Sequence, residues 1–262
     1  MTFELNGLPT RTKKNRSSGI TLAIDKGYSI RQTEDFLETS EPYTDIVKLG
    51  WGTSYVSTNL ENKLAAYRNA GIPVYMGGTL FEICLLRNQL DDYLRYLDHH
   101  DIGFIEVSDG TIRLSQKRKL DLIADLCKNF TVLSEVGSKN PENILAPYQW
   151  VDMIKSELDA GAWKVICEAR ESGTVGMFLP NGEVRSELIE EITHHIPSND
   201  LLFEAPQKDQ QIWFLKKFGA NANLANIAPN EVITLETLRL GLRGDTLFDF
   251  YIPQNGVGQP IK

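Results

Sequence analysis

Four glutamates, Glu106, Glu135, Glu168 and Glu204, each close or follow a short apolar run and recur at intervals of 29, 33 and 36 residues. Carboxylates gathered in one place repel, and loss of water raises their pKa values, so such a group persists when a cation or hydrogen-bond donors compensate it. Mg²⁺ suits them, because it takes oxygen ligands and binds through a few carboxylates plus water and substrate. The alternative is that some of the four pair with lysines or hold loops. Basic residues stand at the same run ends: Lys26, Lys48, Lys139, Arg170 and Lys208. Lys48 lies inside the apolar run 45–49, which points it inward, where a lysine needs an anion. That anion is either a carboxylate, such as Asp25 or Glu204, or a substrate.

The runs that carry these residues set the fold. Eight of them close at Asp25, Lys48, Gly77, Glu106, Glu135, Glu168, Glu204 and Asn226, spaced by 22 to 36 residues. A strand, a turn and a helix use about thirty residues, so the rhythm predicts parallel strands with helical crossovers. Short continuous apolar runs suit strands covered on both faces. Strands are expected at 19–25, 45–49, 73–76, 103–107, 130–134, 164–167, 201–203 and 223–225. Amphipathic helices are expected at 61–70, 89–98, 117–128, 151–160 and 186–195, with a last one at 236–242. The 262-residue chain matches the ~250 residues of one (β/α)8 TIM barrel, an α/β fold. The expected division is an N-terminal arm 1–18, a single barrel domain 19–250 and a C-terminal tail 251–262.

In such barrels catalytic groups lie at the C-terminal strand ends, while charges at the other rim serve stability. Asp45 and Lys164 fall near strand starts and take structural roles. The glutamates and the basic residues converge on the opposite mouth, where Gly50-Trp-Gly, Gly77-Gly-Thr and Asp109-Gly-Thr turns let backbone amides approach an anion. Barrel phosphate sites often use the loops after the seventh and eighth strands, here Gln207, Lys208 and the Asn226 loop.

Composition excludes several function classes. A net charge of −8 argues against nucleic-acid or anionic-membrane surfaces, and no apolar stretch approaches the ~20 residues of a membrane span. The first 19 residues lack the apolar centre of a secretory signal. Cys84, Cys127 and Cys167 are widely spaced and are expected as buried free thiols in a cytoplasmic protein. His99, His100, His194 and His195 close helical segments, so no serine has a rim histidine to activate it. No G-x-G-x-x-G follows the first strand.

The loop strings resemble one family. Asp25-Lys-Gly27, Lys48-Leu-Gly-Trp-Gly-Thr-Ser54, Gly77-Gly-Thr-Leu-Phe-Glu82 and Glu106-Val-Ser-Asp-Gly110 are similar to those of the phosphosulfolactate synthases. So are Glu135-Val-Gly137, Glu168-Ala-Arg-Glu-Ser-Gly173, Phe203-Glu-Ala-Pro-Gln-Lys208, Asn223-Leu-Ala-Asn226 and Leu240-Gly-Leu-Arg-Gly-Asp-Thr246. The resemblance runs from about residue 19 to 247. It implies a TIM barrel and a Mg²⁺-dependent addition of sulfite to phosphoenolpyruvate, giving (2R)-O-phospho-3-sulfolactate. In methanogens that reaction begins coenzyme M synthesis. The family also holds plant heat-stress-associated relatives, so a non-catalytic barrel protein is one alternative; another Mg²⁺-assisted lyase or aldolase on a phosphorylated three-carbon acid is the second. On this reading Glu106, Glu135, Glu168 and Glu204 cradle the metal. Lys26, Arg170, Lys208 and Asn226 bind substrate, Lys48 is catalytic, and Lys139 protonates the middle carbon. Ser138 departs from the second basic residue expected beside Lys139. A homo-oligomer is expected.

Overall fold

Alternation along a strand decides which side chains face a barrel's axis, and here it separates two cores. The computed structural model describes residues 3–138, 145–170 and 172–251. Among them, eight parallel strands form one sheet: β1 (Thr21–Asp25), β2 (Ile46–Leu49), β3 (Val74–Met76), β4 (Phe104–Val107), β5 (Thr131–Val136), β6 (Lys164–Cys167), β7 (Leu201–Glu204) and β8 (Leu224–Ile227). Their order is β3-β2-β1-β8-β7-β6-β5-β4, and β3 packs beside β4 to complete the ring. The eight expected strands are all present, with ends shifted by at most two residues.

Inside the ring Ile20, Leu22, Ile46, Tyr75, Leu133, Ile166, Leu202 and Ala225 form a closed apolar plug. The alternate positions, among them Ala23, Val47, Val107, Val165 and Phe203, face the surrounding helices and join the larger core. Two residues beyond the plug, seven strands deliver Ile24, Lys48, Gly77, Glu106, Glu135, Glu168 and Glu204 to the C-terminal mouth. The eighth departs from this pattern. Between its pairings Thr21↔Leu224 and Ala23↔Ile227, β8 carries one extra residue, and Asn226 there has φ 55°. A bulge of this kind re-aims a side chain, and it brings Asn226 to the mouth as well.

Eleven helices surround the ring among the described residues: α1 (Ile30–Ser40), α2 (Thr53–Val56), α3 (Leu60–Asn69), α4 (Gly78–Leu86), α5 (Leu90–His99), α6 (Gln116–Leu126), α7 (Pro147–Asp159), α8 (Ser186–His195), α9 (Lys208–Phe218), α10 (Val232–Arg239) and α11 (Leu247–Phe250). Three substantial helices were not expected: α1, α4 and α9. The α1 start carries a Ser29/Gln32 capping box, whereas α4 reads as an apolar run, GTLFEICLL, and hides its period. The last long helix begins at Val232 rather than at 236, because the turn Pro229–Glu231 launches it four residues early.

The opposite rim is closed by ion pairs. Arg11 reaches Glu236 at 3.0 Å and Asn221 at 2.6 Å, while Arg16 pairs with Asp45 at 2.9 Å. Asp45 also accepts from the Thr21 amide, and Lys164 donates to the Asn199 carbonyl, so both serve the strand-start rim. Cys167 is buried and Cys84 partly so, but Cys127 is exposed, contrary to expectation. It caps α6 one residue past the last core-facing position, Leu126. Among the described residues no helix is long and apolar enough to cross a membrane.

Candidate active site

The mouth holds a cavity of about 240 Å³ lined by Lys48, Glu106, Glu135, Glu168, Glu204, Arg170 and Asn226, together with Trp51, Gly78 and Thr79. A larger opening elsewhere, lined by Leu94, Arg95, Asp98, Asp101 and Phe130 among others, has three charged side chains where this mouth has six.

Lys48 is the centre of the cage. Its Nζ lies 3.2 Å from Glu106 Oε2, 3.4 Å from Glu204 Oε1 and 4.0 Å from Glu135 Oε2. Burial pulls its pKa down, but Glu106, Glu204, Glu135 and Glu168 together outweigh burial and hold the ammonium above its ordinary value. Lys48 therefore stays protonated across the working pH range. Asp25, the other sequence candidate for its partner, faces outward. It pairs with Lys63 at 3.0 Å and accepts from the Tyr67 hydroxyl and the Gly27 and Tyr28 amides.

The backbone fixes one oxygen of several of these glutamates and turns the other inward. Glu106 Oε1 accepts from the Gly78 amide at 2.7 Å, and Glu204 Oε2 accepts from the Ala169 amide at 3.0 Å. Glu168 Oε1 accepts from the Arg170 amide. Gly78 has to be glycine for this reason: a Cβ there would come within 2.3 Å of Glu106 Oε1 and of Ser108 Oγ. Beneath the cage the Tyr75 phenol lies against Glu106; burial first, and that charge second, push its pKa well above the ordinary range.

Strain gathers at the same place. Five non-glycine residues among those described have positive φ, and Trp51, Arg170 and Asn226 all line this cavity. Left-handed backbone at bulky residues costs energy and concentrates at functional sites. Asn226 Oδ1 is buried without a hydrogen-bond partner. Such an atom is an available ligand or substrate acceptor.

The remaining sequence candidates are distributed less tightly. Lys26 sits over the Trp51 ring at 5.8 Å, at the edge of the mouth. Lys208 pairs with Asp245 at 3.2 Å and does not line the cavity. Gln207 ties down the preceding loop by donating to Ser172 O. Lys139 lies outside the described residues. None of the four histidines lines the cavity. Sequence reasoning missed Trp51, Tyr75 and Glu82 as site-builders. Glu82 on α4 accepts from Ser108 Oγ and from the Thr111 and Ile112 amides, holding the loop after β4 against the mouth. Its place four residues into the Gly78-led helix was the available signal.

Over residues 9–245 the chain matches the model of the (2R)-phospho-3-sulfolactate synthase (ComA) family. The chain belongs to that family. Its members are lyases that form a carbon–sulfur bond. The chain is 43% identical over 244 residues to the phosphosulfolactate synthase of Bacillus subtilis, with 92% of this chain and 97% of that protein covered. It is 40% identical over 247 residues to the phosphosulfolactate synthase of Methanothermobacter thermautotrophicus, covering 91% of this chain and 95% of the relative. Its barrel also resembles that of 3-hexulose-6-phosphate synthase from Salmonella typhimurium, with a TM-score of 0.52 at 11% identity over 88% of this chain and 94% of that one. At that identity the likeness is one of fold.

Proposed function

We propose that this cavity adds sulfite to phosphoenolpyruvate in a Mg²⁺-dependent reaction giving (2R)-O-phospho-3-sulfolactate. The observation that carries the reading is one buried mouth in which four carboxylates surround a lysine, in a chain of this family.

By donor chemistry the set suits the metal, with the Lys48 ammonium seated between the carboxylates. Glu106, Glu135, Glu168 and Glu204, when ionised, outnumber the Lys48 and Arg170 charges that share the cavity, and a divalent cation would balance the difference. All the candidate ligands are oxygens, and Asn226 Oδ1 adds a neutral one. When bound, Mg²⁺ would offset negative charge building on the substrate carboxylate.

The chain's own residues account for the rest. Phosphoenolpyruvate and sulfite are both anions, and Lys48 and Arg170, with Lys26 and Lys208 toward the rim, reduce their repulsion and draw them in. The sulfur lone pair attacks the methylene carbon, the C–S bond forms, and the double-bond electrons move toward the carboxylate. Lys48, held cationic by its four neighbours, stabilises that charge. A proton then reaches the middle carbon from one face and fixes its configuration, and Lys139 is the assigned donor. Trp51 lines the cavity with its ring partly exposed to solvent.

The same reading places the protein in the cytoplasm as a homo-oligomer, with Tyr55 and Val56 of α2 presented to solvent for contact. Light scattering checks the oligomer. The activity is tested by incubating purified protein with phosphoenolpyruvate, sulfite and Mg²⁺. Phosphoenolpyruvate should disappear only when sulfite is present, with equimolar phosphosulfolactate formed, and consumption independent of sulfite would sink the reading.

A further inference from the structure

Behind the glutamate cage stands a second buried charge cluster that the proposed chemistry does not use. Lys119 on α6 is fully buried, and its Nζ reaches three acceptors from three different elements. It donates to the Glu135 main-chain carbonyl at 2.6 Å, and lies 2.9 Å from Asp109 Oδ1 and 3.0 Å from Glu157 Oε1. An ammonium has three hydrogens to donate, so these acceptors saturate it. Glu157 on α7 is equally buried, and its other oxygen accepts from the Ser134 hydroxyl.

Each arm of this tripod fastens a segment next to the mouth. The β4–β5 ladder stops at Val107↔Ser134, so on its β4 side Glu135 lies one residue past the last pair, while on the other side it still pairs with Ile166 of β6. There Lys119 holds the main chain from which the Glu135 carboxylate projects into the cavity. Asp109 belongs to the loop whose Thr111 lines the same cavity and whose far side is held by Glu82. Ser134 and Glu157 fasten the residue just before Glu135 to the helix layer.

We propose that Lys119 is a positioning residue for the cation site: it locks the main chain beneath Glu135 and the loop after β4, presetting the carboxylate for a divalent ion. This rests on the reading that the cavity glutamates bind Mg²⁺. Burying an ammonium with two carboxylates is costly and brings little net stability compared with an apolar cluster of the same shape. A rigid strand end next to a metal ligand is a reason to keep it, since groups that orient metal ligands typically govern affinity by ten- to a hundredfold.

Charge and position predict opposite signs, which makes the test decisive. Removing a nearby cation would by electrostatics alone tighten Mg²⁺ binding. If Lys119 positions Glu135, its removal weakens binding instead. Mg²⁺ titration calorimetry on the folded protein without substrate, with Mn²⁺ paramagnetic resonance as a second readout, should give Lys119→Met about ten- to a hundredfold weaker than wild type. The double variant Lys119→Met/Glu157→Gln leaves local net charge unchanged and avoids a stranded α7 carboxylate, so it decides the matter should the single variant not fold. Lys117→Met, whose partner Asp121 is on the exposed side of the same helix, should bind like wild type. In a Glu135→Gln background, Lys119→Met should add little further loss, because both act through one ligand. Unchanged or tighter Mg²⁺ binding in a folded Lys119 variant overturns the proposal and leaves the proposed function standing. Absence of Mg²⁺ binding in wild type also overturns the proposal, while the proposed function falls only if phosphoenolpyruvate is not consumed in a sulfite-dependent way.

Discussion

At the scale of single residues, Lys48 is where the fold and the chemistry meet. A lysine among carboxylates in a buried mouth is a structural tie and, on the proposed function, an anion-binding charge as well. Its raised pKa means that its contribution to stability is fully present below the unfolded value of ~10.4 and is lost only as pH rises through the higher folded value. Wild-type stability should therefore show no Lys48-linked decline between pH 6 and pH 9. Lys48→Met removes the buried ammonium that pairs with Glu106 and Glu204 and should cost about 3–5 kcal/mol in urea unfolding, with part of the loss recovered on adding Mg²⁺. Glu168→Gln keeps the shape and removes a charge, so the Mg²⁺ concentration for half activity should rise, and an unchanged metal titration would exclude it as a ligand. Lys139→Ala should abolish turnover while circular dichroism stays that of wild type. Near-normal activity would remove it as proton donor.

At the scale of elements, the site depends on how close helix starts and strand ends can come. The α4 start touches the Glu106 carboxylate through the Gly78 amide. Gly78→Ala should displace that carboxylate, because the added methyl would overlap both Glu106 and Ser108. Overpacking of this kind costs about 1–3 kcal/mol. We expect a lowered thermal midpoint and a larger fall in kcat than in substrate affinity, measured by steady-state kinetics. The β8 bulge works in the other direction, adding a residue so that Asn226 enters the cavity from a strand whose regular alternation, two residues past the plug residue Ala225, would have sent Ile227 there and Asn226 away. Strict two-residue periodicity cannot reveal a bulge, since the extra residue is defined by pairing with β1.

At the scale of the whole molecule, the two rims divide the labour of the barrel. The C-terminal mouth concentrates like charge and left-handed backbone, both of which oppose folding. The other rim is closed by the arm carrying Arg11 and Arg16, by Asp45, and by buried Arg239, which donates to the Ala220 and Ala222 carbonyls. Arg11→Ala removes charge-assisted bonds to Glu236 and Asn221. At about 2 kcal/mol for such a loss, the thermal midpoint of a chain of this size should fall by roughly 4–8 °C. The kcat should not change, because the substitution lies at the far end from the chemistry, and a large fall in kcat would contradict the division of rims.

Much of this was written in the order of residues. Eight apolar runs at βα spacing dictate the barrel, because a parallel strand buried on both faces must be apolar and each crossover needs a helix. The parity of Lys48, Glu106, Glu135, Glu168 and Glu204 within their runs already points them inward, since strand side chains alternate whatever their neighbours are. What depends on partners distant in sequence could come only from the tertiary structure. Asp25, one residue past inward-facing Ile24, points outward by the same alternation, but that Lys63 on α3 meets it there is set by packing. Lys119 sits on an ordinary amphipathic helix and becomes a buried tripod only when Asp109, Glu135 and Glu157 converge on it. Local sequence sets which way a side chain points; which charges meet there is decided by packing, where an unpaired buried charge is too costly to remain.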